Sequence, residues 1–246
     1  MQNSKLCLQK YKKCIKILTR SCYIGTRVGK VYGDGMKRIL CYGDSNTWGY
    51  NPENKHRFPE EVRWTGVAAK CLGDDYRILE SGIVGRTTMV DDETHACCNG
   101  MEGLGFALIS QRPLDLVVLM LGSNDLKFIS VEQSASYCEG IIEAIKDCER
   151  RYHCSSPIFP NGQPKVLLLS PIRVNEKVPG HPKFEQKSEE SLLFARYLSA
   201  VAERQETDYL DASLYAEPSD IDGLHMTADS HRRLGVAVAE KIKSIL

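Results

Sequence analysis

The stretch KRILCYGDSNTWGYNP, residues 37–52, governs the reading of the whole chain. Ile39, Leu40, Cys41 and Tyr42 form a short apolar run of the kind that fills a buried strand. That run passes without a spacer into Gly43-Asp44-Ser45-Asn46-Thr47. Gly, Asp, Ser and Asn suit a tight turn, because they tolerate unusual backbone angles or bond back to their own main chain. The same turn also presents one small hydroxyl, Ser45, at the exit of a strand, where a nucleophile would serve.

On both sides of the turn and along the rest of the chain from residue 37, short apolar runs alternate with amphipathic segments. Residues 38–42, 76–79, 116–121, 165–169 and 209–211 read as strands, and residues 62–72, 101–111, 131–151 and 188–203 as helices. Ser130 and Gln133 have capping-box spacing, and Ala135, Cys138, Ile142 and Ile145 repeat at three and four. A last helix starts near Thr227 and places Leu234, Val238, Ile242 and Ile245 on one face. Strands alternating with helices of this length predict a single-domain α/β fold: a doubly wound, mostly parallel five-stranded sheet flanked by helices. Three longer loops, 51–61, 153–164 and 172–187, interrupt the pattern.

Residues 1–35 do not join this pattern. They hold eight Lys/Arg against one acid, Asp34, and are expected to be a basic extension, either disordered or a leader, ahead of a domain spanning 36–246. The remaining 211 residues carry 24 basic and 31 acidic groups, a net of −7, which argues against a nucleic-acid surface there. No run of 18 apolar residues occurs, so no membrane span is expected, and Lys16 and Arg20 break up the one segment resembling a secretory core. The ten cysteines show no C-x-x-C pair and no zinc-like spacing. They read as reduced packing thiols of a cytoplasmic protein, with Cys41, Cys138 and Cys148 on buried faces.

In an open α/β sheet, ligands bind outside the carboxyl ends of the strands. Four predicted strands are followed there by Gly43-Asp44-Ser45-Asn46-Thr47, by Ser81-Gly82-Ile83-Val84-Gly85-Arg86, by Gly122-Ser123-Asn124-Asp125 and by Asp222-Gly223-Leu224-His225. Each fits one part of an acyl-transfer site. A serine hydroxyl needs an imidazole to take its proton, and the imidazole needs an acceptor on its other nitrogen. His225 and Asp222 can supply these to Ser45. The charge on a tetrahedral intermediate needs fixed donors, which the N–H groups of Ser45 and Gly85 and the Asn124 amide can provide. Singly, each segment is an ordinary turn. Their convergence on one rim is what carries meaning.

Trp48 and Tyr50 are candidate walls of a substrate pocket, Asn46 a polar group at its mouth, and Phe184 a further lining residue. Asp44 and Asp125 read as braces for their turns, and Trp64 as a contact between helix and sheet. His56, His95, His153, His181 and His231 are expected to face solvent. No G-x-x-x-x-G-K-[ST] or G-x-S-x-G motif occurs, which excludes a P-loop and the usual α/β-hydrolase elbow.

GDSNT, the glycine of SGIVGRTT, GSND and DGLH, in this order, resemble the four sequence blocks of the SGNH (GDSL-type) serine hydrolases. RILCYGDSNTWGY, VRWTGVAAKCLG, GRTTMVDD, PLDLVVLMLGSNDLK, PKVLLLSP and DGLHMT are similar to its small-ester arylesterase/acyltransferase branch, over roughly residues 36–246. Glu80-Ser81 departs from the family, many members of which have Asn there, and Asn46 sits where a branch member can have an apolar residue. The resemblance implies an SGNH/flavodoxin-like fold and a metal-free esterase without cofactor. It also implies Ser45 as nucleophile, His225 as base, Asp222 as its orienter, and Gly85 and Asn124 as oxyanion donors. The expected partner is a small short-acyl ester, with acyl transfer to alcohols and assembly into a homo-oligomer both open. Two other readings remain: a carbohydrate O-deacetylase using the same site, toward which Asn46 tilts, and an inactive SGNH-like binding module with a basic arm.

Overall fold

A computed structural model describes residues 35–160, 162–175, 184 and 186–246. The expectation for the basic extension falls outside the described residues, except at Gly35. Five strands, β1 (Lys37–Gly43), β2 (Tyr76–Gly82), β3 (Leu116–Met120), β4 (Val166–Ser170) and β5 (Asp208–Asp211), form one sheet in the order β2-β1-β3-β4-β5. Every pairing is parallel.

The central strands β1, β3 and β4 carry apolar side chains on both sides because both faces are covered. On β1, Leu40 and Tyr42 point into one core layer with Val117 and Leu119, while Ile39 and Cys41 point into the other with Leu116, Val118 and Met120. The first layer is closed by α3 (Gly100–Gln111), α4 (Val131–Lys146) and α7 (Phe194–Arg204), through Leu104, Leu108, Ala135, Cys138, Ile142, Phe194 and Leu198. The second is closed by α2 (Trp64–Leu72) and α8 (Ala228–Ile245), through Trp64, Ala68, Leu234, Val238 and Ile242. The expected caps form: Ser130 Oγ accepts from Gln133 N at 3.2 Å, and Thr227 Oγ1 from Ser230 N at 3.2 Å. Cys41, Cys138 and Cys148 are fully buried, and all cysteines among the described residues are free thiols.

Two expected helices are each divided. The segment 131–151 breaks at Asp147 into α4 and α5 (Cys148–Tyr152), and 188–203 breaks at Leu192 and Leu193 into α6 (Ser188–Ser191) and α7. His231 corrects a further expectation. It is completely buried, because it lies three residues before Leu234 on the face that α8 turns toward α2, where its Nδ1 accepts the Trp64 N–H at 3.2 Å. No helix among the described residues is long and apolar enough to cross a membrane.

This strand order reverses direction at β1 and β3, so the crevice between their carboxyl ends is where a ligand belongs. The segments that follow these two strands carry Ser45 and Asn124.

Candidate active site

Directly after β1, Asp44 caps the single-turn helix α1 (Ser45–Trp48), its Oδ1 accepting the Asn46 N–H at 2.9 Å. Ser45 thereby becomes the first helical residue, and its N–H is one of the donors a helix start leaves unpaired. The helix lies directly against the end of β2. A Cβ on Gly82 would sit 2.2 Å from the Trp48 nitrogen, which only glycine avoids. Burial pushes the Asp44 carboxyl up to about 6, against the pull of the Asn46 N–H bond and of the nearby His225 and Arg86.

The loop after β5 brings the imidazole. Asp222 Oδ1 accepts the N–H groups of Leu224 at 3.0 Å and His225 at 2.9 Å, an Asx-type turn that fixes the loop. Its Oδ2 lies 2.6 Å from His225 Nδ1, and His225 Nε2 lies 2.9 Å from Ser45 Oγ. With the carboxylate holding a proton on Nδ1, Nε2 is left as an acceptor facing the hydroxyl. Ser45 and His225 are each only 4% exposed.

The segment after β2 turns at Gly85, whose φ of +84° lies in the left-handed region that favours glycine. Among the described residues the N–H groups of Ser45 and Gly85 donate no hydrogen bond, so both are available to an incoming oxygen. Asn124 is the second residue of a short 3₁₀ turn, Ser123–Lys127, after β3. Its Nδ2 donates to the Arg86 carbonyl at 3.1 Å, and an amide NH₂ has a second proton to offer. Asp125 is fully buried and braces this turn as expected, accepting from Thr88 N at 2.9 Å and Ser134 Oγ at 2.6 Å. Burial raises its carboxyl, and these bonds oppose the rise.

Other expectations for the site fare differently. Tyr50 lies beside the imidazole, with its ring centroid 4.1 Å from that of His225, and Trp48 stands behind Tyr50 at 6.4 Å. Asn46, expected at the pocket mouth, is 3% exposed, and its amide is bonded to the backbone of the His225 loop. Phe184, expected as a lining residue, is 4% exposed and belongs to the same core layer as Phe194 and Leu224. His56, His95 and His153 are exposed as expected, whereas His181 lies outside the described residues.

Two supporting groups were not foreseen. Arg86, 3% exposed, stacks its guanidinium 4.0 Å from the Tyr42 ring centroid and donates to the carbonyls of Gly43, at 2.8 Å, and Ser81, tying together the ends of β1 and β2. Glu80, on the edge strand, accepts a two-pronged bond from Arg63 at 2.8 and 2.7 Å, a bond from Arg57 at 2.9 Å and another from Thr65. Arg57 also donates to the Trp48 carbonyl at 2.6 Å, and Arg63 to the Phe58 carbonyl at 2.9 Å. The loop after Tyr50 is thus stapled to β2, and this is what occupies the position where the Glu80-Ser81 departure stood out. An Arg next to the turn glycine and an acid on an apolar strand were the available signals.

Residues 41–233 match the model of the GDSL-like Lipase/Acylhydrolase family. A search of curated proteins returns no match. Among solved structures, the native aryl esterase of M. smegmatis is similar at 36% identity and a TM-score of 0.79, covering 85% of this chain and 100% of that one. Est24, a carbohydrate acetylesterase from Sinorhizobium meliloti, is similar at 33% identity and a TM-score of 0.79, with the same coverage. A lipase/acylhydrolase from Enterococcus faecalis, 18% identical with a TM-score of 0.62 over 86% of this chain and 97% of that one, shares the fold. A match over this much of the chain, together with the four loop segments at the carboxyl ends of the strands, makes this protein a member of the GDSL-like lipase/acylhydrolase family, with the fold of the SGNH hydrolases.

Proposed function

We propose that the protein is a serine esterase that cleaves small, short-acyl esters through an acyl-enzyme. The observation that carries this reading is the continuous chain from Asp222 Oδ2 to His225 Nδ1 at 2.6 Å and from His225 Nε2 to Ser45 Oγ at 2.9 Å, beside two backbone N–H groups that donate no hydrogen bond among the described residues. Ser45 Oγ attacks the ester carbonyl as His225 takes its proton. Asp222 keeps the imidazole in the required tautomer and stabilises the cation. The charge on the former carbonyl oxygen is met by the N–H groups of Ser45 and Gly85 and by the Asn124 amide. His225 then gives its proton to the departing alcohol. Water, activated by the same imidazole, attacks the acyl-enzyme and regenerates Ser45. An added alcohol can replace water in that step, which gives acyl transfer. Every role is filled by a group of the chain itself, so chelators are expected to leave activity unchanged.

Carbohydrate deacetylation would use the same machinery, and Est24 is a carbohydrate acetylesterase. The apolar reading is favoured by the side chains bordering the site segments. Ile83 and Val84, just before Gly85, are 39% and 42% exposed, and Ile221, just before Asp222, is 51% exposed. Such a rim suits an aryl or alkyl alcohol better than a sugar. Asn46, the polar group that favoured a sugar, is turned away into the fold.

The test is hydrolysis of aryl esters from acetate to octanoate alongside an acetylated sugar, with the wild type and with Ser45→Ala. Preference for acetyl or propionyl aryl esters, abolished by the substitution, is the expected result. Faster turnover of the sugar acetate would favour the deacetylase, and no turnover by the wild type would favour a binding module.

A further inference from the structure

We infer that Asn46 is a positioning residue of this reaction, holding the loop of His225 in register with Ser45. The inference rests on the Ser45–His225 reading above. Asn46 Oδ1 accepts the Met226 N–H at 3.0 Å, and Asn46 Nδ2 donates to the Leu224 carbonyl at 3.3 Å. The two partners are the immediate neighbours of His225 in the chain. One side-chain amide therefore grips the backbone on both sides of the base, with donor and acceptor each matched. Asn46 is itself fixed, since its own N–H donates to Asp44 at 2.9 Å, and it adjoins Ser45.

The remaining bonds of the base loop run elsewhere. Asp222 caps Leu224 and His225 from within the loop, Ser219 N donates to the His225 carbonyl at 2.7 Å, and Asn175 N donates to the Gly223 carbonyl at 2.7 Å. Among the described residues, the hydrogen bonds between the 44–50 turn and the 219–227 loop are the two from Asn46 and the Ser45–His225 contact itself. Because that last contact must break and reform during turnover, the two Asn46 bonds are the hydrogen bonds that persist between the two segments, beside the ring contact of Tyr50 with His225. They cross 178 and 180 residues of sequence.

A leucine at 46 would abolish both bonds and leave a buried N–H and carbonyl without partners. A misplacement of about 1 Å between reacting groups costs on the order of 100-fold. The expected loss is therefore about 10–100-fold in kcat, with KM for a small aryl acetate changed by less than about twofold. A residue that merely lined the pocket would instead alter KM or the acyl-length preference.

The experiment compares wild type, Ser45→Ala, Asn46→Leu and Asn46→Asp by kinetics on aryl acetate and butyrate. It also follows the downfield proton NMR signal of the His225 Nδ1–H donated to Asp222. Asn46→Asp retains the acceptor for Met226 and loses the donor to Leu224, so it should fall between wild type and Asn46→Leu. It also decides the matter by the same two readouts if Asn46→Leu does not fold. A fall in kcat together with a shifted or broadened proton signal is the expected result. Unchanged kcat and signal, or a change confined to KM and acyl preference, would overturn the proposal. Ser45→Ala reports separately: full activity in that variant would overturn the Ser45–His225 reading itself, and with it the role of Asn46.

Discussion

The ring of Tyr50 lies over the imidazole of His225, with centroids 4.1 Å apart and planes tilted by 32°. In the proposed mechanism this contact matters most when His225 carries the proton taken from Ser45, because an aromatic face attracts a cation more than a neutral ring. Burial and the nearby Asp222 charge push the Tyr50 phenol upward, so it stays neutral while it does this. Tyr50→Leu should therefore lower kcat by about 1 kcal/mol, roughly fivefold, and Tyr50→Phe should leave it within about twofold. Aryl acetate kinetics decide. An equal loss in both variants would assign the effect to the hydroxyl instead of the ring.

Asn124→Ala removes one preorganised donor and should cost about 2.7–4 kcal/mol of transition-state stabilisation. The loss should appear in kcat, since the donor is aimed at charge that exists only after attack. A raised KM with kcat unchanged would make Asn124 a ground-state binding group.

Glu80 holds Arg57 and Arg63 against the edge of the sheet, and the Arg63 side chain is only 9% exposed. Glu80→Ala leaves that guanidinium without its carboxylate and should destabilise the fold by about 1.5–3 kcal/mol, the usual size for hydrogen bonds to a charged group. It should also loosen the 51–63 segment behind Trp48 and Tyr50. Urea unfolding gives the first quantity, and limited proteolysis of the segment reports the second. Wild-type values in both would show that the staple contributes nothing.

His231 gives stability a pH dependence that can be isolated. Burial, with the neighbouring His225 and Arg63 charges, lowers its folded-state pKa to about 3, whereas an unfolded histidine titrates near 6.5. Between these values the unfolded chain binds the extra proton, so this contribution is complete above about pH 6.5 and is lost as pH falls toward 3, with a slope of at most about 1.4 kcal/mol per pH unit. Asp44 acts in the opposite sense. Its raised folded-state value, about 6, makes its contribution complete below the unfolded aspartate value of about 3.9 and lost as pH rises through 6. The two therefore offset each other between about pH 4 and 6. The difference between wild type and His231→Gln removes the Asp44 component. Relative to wild type, the variant should gain stability as pH falls from 7.5 to 5 in urea unfolding, and a pH-independent difference would show that His231 is not buried neutral.

The framework and the placement of the candidate site residues at the strand ends were legible in the sequence for one shared reason. Ile39 to Tyr42 and Leu116 to Leu121 are local apolar runs, and Ser45, Gly85 and Asn124 follow strands directly, so neighbouring residues sufficed to place them. His231 was also legible, because its three-residue spacing to Leu234 places it on the apolar face of α8, but its polarity suggested solvent. The contacts of Asn46 with Leu224 and Met226, and the bonding of Glu80 to Arg57 and Arg63, join segments far apart in the chain. No local pattern announces such partners. The breaks at Asp147 and at Leu192–Leu193 were hidden because apolar periodicity continues on both sides of each.

The most direct test of the central claim is to treat the folded protein with an organophosphonate ester probe and map the modified peptide. A single modified serine, Ser45, is expected, with no labelling after His225→Ala, since the hydroxyl then has no base. Labelling at another serine, or none in folded wild-type protein, would contradict it.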